Sequence, residues 1–423
     1  MTPDSETQTP VIHKIGPFGN YGSQSIKKRH DEMSPVKLSV RITVVGLFVV
    51  MIALNAYQVY RIAFVRHEAD FVACIAGATD LRNGVNPYLP TAIVPYNTLA
   101  NFRPYIYPLF FAWLWIPFTF LVPVAASFAW YAISVAIMFY VLAISADLAG
   151  IKSQNECWLA FGIIAVLFVS ILQWILMFGH EDLLVLLFLL LGTKYLVKGK
   201  SAGGAWFGMA AAGKLMPIVV LPMLIRNWKA MAMAASAIVA TCIVIPYFIA
   251  GSAIFHYYDY WVHTTLGSEM AKGDNAVHSF ALAGAAAQIF GYAQPPMLMK
   301  LVCGLLLLAF PMVLLFRNKS LPALLLSFML IPLCSTRSEP NHLIMLLPGM
   351  MLLISVLLQR QIVWKGREVP LSKRATVLGW IALVLVQLMI LWGYNAVIPF
   401  DTLGMLVVFG VVFWEGMSSV FQL

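Results

Sequence analysis

The chain has 423 residues, of which 61% are hydrophobic and only 11% charged, with a mean hydropathy of +0.85. Soluble domains carry roughly 25% charged residues, so a water-soluble protein of this length is excluded. The net charge of +9 comes from short basic clusters between apolar runs, which is a membrane-topology signal and argues against a nucleic-acid partner.

Residues 1–37 are polar, carry Lys14, Lys27, Lys28, Arg29 and Lys37, and read as a disordered cytoplasmic tail. The first apolar run starts too late and runs too long for a cleavable signal peptide. Residues 38–423 read as a single transmembrane domain. Apolar stretches near 38–60, 105–121, 123–147, 157–178, 183–197, 202–222, 230–250, 279–293, 297–316, 321–335, 341–358, 375–397 and 402–420 predict roughly 11–13 transmembrane helices, several shorter than a straight span needs. The fold class that follows is all-α, a polytopic membrane helix bundle. The five cysteines (Cys74, Cys157, Cys242, Cys303 and Cys334) are scattered without metal-ligand or disulfide spacing and read as helix-packing residues.

With the N-terminus inside, the first helix delivers residues 61–104 as the first outer loop. This loop holds Arg66-His-Glu-Ala-Asp70, then Asn83-Gly-Val-Asn-Pro-Tyr88 and Arg103. Charges at membrane depth are functional-site hypotheses by default. The spacing of Phe71, Ile75 and Ala78 predicts a short interfacial helix from Asp70 to Leu81, ended by Asn-Gly and Asn-Pro. A second outer loop spans 251–277 and leads into Asn275 and His278; a third is Ser335-Thr-Arg-Ser-Glu-Pro-Asn-His342. Basic clusters at Arg226–Lys229, Arg317–Lys319 and Lys365–Arg374 belong on the opposite, cytoplasmic face.

Two polar groups interrupt apolar sequence: Gly179-His-Glu-Asp182, and Lys214 within Gly213-Lys-Leu-Met-Pro217. Placing 179–182 outside puts Lys194, Lys198 and Lys200 inside, as the charge bias prefers. That arrangement requires a broken or re-entrant segment between 105 and 178, tolerated where protein covers it.

The order of these features resembles the GT-C glycosyltransferases, and within them glycosyltransferase family 87, the polyprenol-phosphate-mannose-dependent mannosyltransferase-like family. The resemblance rests on Asp70-Phe, Asn83-Gly-Val-Asn-Pro-Tyr88, Tyr105-Ile-Tyr-Pro-Leu109, Gly213-Lys-Leu-Met-Pro217, Asn275-Ala-Val-His-Ser279 and the segment Ser335–His342. His180 and Glu181 stand where that family has an amide, and Arg337-Ser-Glu-Pro340 departs from its usual segment. The resemblance implies a GT-C-type bundle in a bacterial inner membrane, with the active site on the outer face. It also implies an inverting transfer of a hexose, mannose by family default, from a polyprenyl-phosphate-linked sugar donor to a lipid or glycan acceptor.

Such chemistry needs a carboxylate to take the proton of the attacking hydroxyl, and cationic groups for the departing phosphate. Asp70 is the expected base, against the plainer readings of a helix cap or an ion pair with Arg66 or Arg103. Arg103, Lys214, Arg337 and His342 are the phosphate candidates. For Lys214 a snorkelling role competes, and for His342 a packed position at a helix start. His180, Glu181, Asp182, Asn275 and His278 are the substrate-binding candidates; a simple polar turn with Asp182 starting the next helix competes for the first three. Glu68 is either a divalent-metal ligand or a solvated neighbour, and no cofactor follows with certainty. Competing functions are a transporter or flippase of a lipid-linked sugar, and a non-catalytic subunit of a polysaccharide-assembly complex. A flippase predicts internal repeats, and none is visible.

Overall fold

A computed structural model describes residues 38–61, 70–89, 105–266, 321–334, 340–364 and 367–374, with short pieces between 298 and 305 and between 376 and 384. Glu68, Arg103, Asn275, His278, Arg337, the tail 1–37 and the candidate spans at 279–293 and 402–420 lie outside the described residues. The described chain is helical apart from one antiparallel hairpin, β1 (Gln361–Trp364) with β2 (Arg367–Pro370).

Among the described residues, four helical stretches are long and apolar enough to cross a membrane: Leu38–Tyr60, Val124–Leu148, Trp228–Ala250 and Asn341–Gln359. The first is α1 (Leu38–Tyr60), and α4 (Pro123–Leu148) contains the second. The third joins α9 (Trp228–Val239) to α10 (Ile245–Ala250) through a π-helical stretch. Pro246 follows directly on the π-helical stretch, where its missing N–H interrupts the regular helical hydrogen bonding. The fourth begins as a 3-10 turn, Pro340–Leu346, and becomes the long helix that ends at Gln359.

Between these spans the helices are short and broken. The expected break before residue 178 is present: α5 (Gln154–Leu167) and α6 (Val169–Phe178) meet at Phe168 with a bend of 71°. The stretch at 105–121 is not one span but α3 (Leu109–Leu114) followed by a 3-10 turn, Ile116–Phe120, containing Pro117. The stretch at 202–222 likewise divides into α8 (Gly203–Gly213) and a 3-10 segment, Met216–Leu224. Pro217 and Pro222 lack the N–H an α-helix there would need.

Helix direction sorts the bundle into two ends. α7 (Asp182–Val197) and α8 form an antiparallel hairpin. Its contact depends on small residues, for a Cβ on Gly192 would meet the Phe207 ring at 2.5 Å. On the other face of α8, Gly204 and Gly208 pack against the main chain of Ala230 and Ala234, where a Cβ would collide with their carbonyls. This is the small-xxx-small approach that lets membrane helices pack closely. The hairpin therefore returns Lys214, just past the end of α8, to the same end as Asp182.

The opposite end holds Arg41 and Lys194. Arg41 donates to Asn155 at 2.9 Å, Lys194 pairs with Asp147 at 3.0 Å, and Gln359 donates to the carbonyl of Gly150 at 3.1 Å.

α2 (Asp70–Arg82) has the bounds that its spacing predicts, to within a residue. It is buried on more faces than a helix resting on a membrane surface, including Phe71, Val72, Cys74, Ile75, Ala76 and Leu81. The reason is cover from the 105–120 segment: Tyr105 lies so close to α2 that a Cβ on Gly77 would meet its ring at 2.7 Å.

Candidate active site

The polar residues that the sequence singles out in separate segments converge at one end of the bundle. The turn between α6 and α7 sets the arrangement. Gly179 ends α6 with φ +71°, a left-handed conformation that glycine adopts without penalty. A Cβ there would also lie 2.8 Å from Cβ of Phe71. Glycine thus lets the turn approach α2, and the carbonyl of Gly179 accepts the indole N–H of Trp130 at 3.0 Å.

The next three residues diverge to different partners. His180 Nδ1 lies 3.0 Å from Oδ2 of Asp70, the first residue of α2. At that separation the ring and the carboxylate form a close polar pair. Burial opposes charge on the imidazole, but Asp70 and the nearby Asp182 outweigh it, and the ring titrates above its ordinary range. The carboxylate of Asp70 keeps 15% of its surface exposed, against 3% for His180.

Asp182 is fully buried and accepts from Lys214 Nζ at 2.8 Å and from Asn341 Nδ2 at 2.7 Å, both on Oδ2. Lys214, 4% exposed, also stands 5.2 Å from the centre of the Tyr107 ring, a cation–π distance. Half-buried His342 follows Asn341 and lies within electrostatic reach of Asp182. Asn341 is not among the residues the sequence singles out; its one signal is an amide at the start of an apolar helix.

Glu181 differs from both neighbours. It is 0% exposed, and neither carboxylate oxygen has a hydrogen-bond partner among the described residues. Its own main-chain amide approaches without meeting hydrogen-bond geometry. Burial pushes its carboxyl above the usual carboxylate range, against the pull of Lys214.

The segments 83–89, 105–109 and 253–261 are held beside this cluster by aromatic side chains that donate to main-chain carbonyls. Tyr88 reaches Tyr107 O at 2.9 Å, Trp261 reaches Ile106 O at 2.8 Å, and Tyr257 reaches Gly84 O at 2.6 Å. Tyr105 is a structural bracket: its hydroxyl donates to Pro108 O and accepts from Ala112 N at 2.8 Å, capping α3. These bonds explain why the Asn83–Tyr88 and Tyr105–Leu109 segments need their tyrosines.

Among the described residues no three His, Cys, Asp or Glu side chains are grouped to hold a metal ion. Arg103, Asn275, His278, Arg337 and Glu68 fall outside those residues. The structure thus brings together Asp70, His180, Glu181, Asp182, Lys214 and His342 from the residues the sequence singles out, and adds Asn341.

No curated protein and no solved structure matches the chain. The sequence pattern of glycosyltransferase family 87 matches residues 105–336, a stretch that includes the turn at 179–182 and Lys214 and stops short of both Asp70 and Asn341. Since that stretch is more than half of the 423 residues, and the described helices are those of a membrane bundle, the chain belongs to glycosyltransferase family 87.

Proposed function

We propose that this membrane glycosyltransferase moves a hexose, mannose first among the candidates, from a polyprenyl-phosphate carrier to a hydroxyl of a lipid-linked or glycan acceptor. The observation that carries the reading is the placement of Asp70. It is a partly exposed carboxylate at the rim of an otherwise buried charged cluster, held 3.0 Å from His180.

An acceptor hydroxyl is a poor nucleophile, and Asp70 takes its proton as it attacks. The contact with His180 holds the carboxylate in position. The anomeric carbon passes through an oxocarbenium-like state, and direct attack by the acceptor inverts its configuration. The leaving group is a phosphate, so cations rather than a proton donor stabilise it. Lys214 and His342 are the described candidates for that role, with Arg103 and Arg337 beside them in the proposal. Lys214 already donates to Asp182, yet an ammonium carries three donors, and the pairing holds it in place for a second acceptor. Asn275 and His278 remain substrate-contact candidates, and Glu68 a candidate ligand for a divalent metal.

The basic residues at the far end of the bundle support an active site facing away from the cytoplasm, in the inner membrane if the chain is bacterial. A lipid-linked-sugar flippase would carry the same substrate and need no base.

The test is transfer by purified protein in nanodiscs, given decaprenyl-phosphoryl mannose or glucose and a panel of lipid and glycan acceptors. Asp70→Asn should lose at least about 100-fold in turnover, the lower range for general-base catalysis, in protein that remains folded. Retained turnover would remove Asp70 from the role of base. Donor movement across vesicles without product would favour the flippase.

A further inference from the structure

Glu181 is the one member of the 180–182 turn whose side chain is left without a described partner. His180 is taken up by Asp70, and Asp182 by Lys214 and Asn341. Leaving a buried carboxylate without donors costs stability, and a position that accepts this cost is where function is expected to override packing. The surroundings point to where the missing donors belong. Cys74 on α2 and Tyr107 each lie within electrostatic reach of both Glu181 and Asp70, so the two carboxylates border one region between α2, the Tyr105–Leu109 segment and the start of α7. Asp70 sits at the exposed rim of that region, and Glu181 at its buried floor.

We propose that the carboxylate of Glu181 accepts hydrogen bonds from hydroxyls of the donor sugar and determines which hexose the site takes. The inference rests on the transferase reading above. If Asp70 meets the acceptor hydroxyl at the rim, the donor sugar occupies the deeper side of the same region. A carboxylate has two oxygens with room for a pair of hydroxyls, and a buried carboxylate selects a neutral polyhydroxylic sugar over an anionic one. Hydroxyls bonded to an ionised group in a site closed to water discriminate strongly, because an epimer leaves the buried acceptor unpaired.

The experiment uses the full chain in nanodiscs and three probes: decaprenyl-phosphoryl mannose, decaprenyl-phosphoryl glucose, and decaprenyl methyl phosphate. The last keeps the phosphodiester charge and lacks the sugar. Wild-type protein is expected to bind one of the sugar lipids more tightly than the methyl diester. Glu181→Gln is expected to lose about tenfold or more of that advantage, the value of a hydrogen bond to a charged group, while binding the methyl diester as before. Its melting temperature should hold or rise, because an unpaired buried charge has been removed; a residue that merely braced the turn would make it fall. Glu181→Met should show the same melting behaviour with complete loss of sugar preference. An unchanged sugar preference in both variants overturns the proposal and leaves the transferase reading standing. Equal losses on all three lipids with a lowered melting temperature overturn it as well. If wild-type protein prefers neither sugar lipid over the methyl diester, the donor assigned in the transferase reading fails, and this proposal with it.

Discussion

Cutting the buried ion pair between Asp182 and Lys214 tests whether it is what fixes the floor of the site. Asp182→Ala leaves the Lys214 ammonium, 4% exposed, without its anion, and leaves the Asn341 amide without its 2.7 Å acceptor. Breaking a buried pair from one side costs about 3–5 kcal/mol, and the orphaned amide moves the loss toward the upper end of that range. Lys214→Met should cost less, because Asp182 keeps Asn341 as a donor and His342 within electrostatic reach. The double variant Asp182→Leu with Lys214→Met removes both charges and should recover most of the loss, leaving about 1–3 kcal/mol for the unpaired Asn341 N–H. The assay is equilibrium unfolding in mixed micelles for the two single variants and the double, read as a double-mutant cycle. The sign of the coupling carries the argument: the double variant must be more stable than the less stable single. If Asp182→Ala lies within about 0.5 kcal/mol of wild type, as an ordinary surface substitution does, the buried-pair reasoning is refuted. Transfer activity should stay absent in the stabilised double variant, because its site has lost a phosphate candidate.

Two further predictions concern the turn. Gly179→Ala combines a left-handed backbone, φ +71°, with a Cβ 2.8 Å from Phe71. It should lose about 1–2 kcal/mol for the backbone and about 1–3 more for the collision. Gly199→Ala, at φ +72° in open space, isolates the backbone share in the same melting assay; equal losses would dismiss the contact with α2. His180 titrates above its ordinary value of 6.5 in the folded protein, so its contact with Asp70 contributes stability that is fully present below that pH and is lost as pH rises through the raised folded value. The gap in melting temperature between wild type and His180→Gln should therefore narrow from about pH 5.5 to about pH 8.5; a gap that widens with pH would reverse the assignment.

Much of the architecture is legible in the chain because a bilayer permits few solutions. Apolar runs give α1, α4, the helix from Trp228 and the helix from Asn341 within a few residues. The charge bias calls for a break before residue 178, and the bend stands at Phe168. The limits appear where two segments compete for one place. The run 202–222 reads as one apolar span, yet its helix stops at Gly213, four residues before Pro217, and the Phe111 ring lies against that glycine. The spacing in α2 reports one apolar face, whereas its burial on several comes from Tyr105, whose approach depends on a glycine 28 positions earlier in the chain. The cost of burying charge singles out His180, Glu181, Asp182 and Lys214. Which of them pair is a property of helix packing and cannot be read along the chain. Asn341 carries no charge and so raises no such signal.

The order of residues in the turn then has a physical reading. An α-helix started at Asp182 directs its first side chains to different sides, and the left-handed Gly179 before it reverses the chain. His180 therefore faces back to α2, while Asp182 faces along α7 to the end of α8. Each of these residues meets a partner supplied by another helix, and each partnership removes a charge that the bundle could not otherwise bury. Glu181 lies between them with no hydrogen-bond donor to its carboxylate among the described residues. Its carboxylate is left at the boundary between α2 and the Tyr107 segment, within electrostatic reach of the same groups as Asp70. A turn that pairs two of its three charged side chains with other segments and leaves the third without a hydrogen-bond partner among the described residues carries an acceptor to the boundary that the proposed donor sugar would occupy.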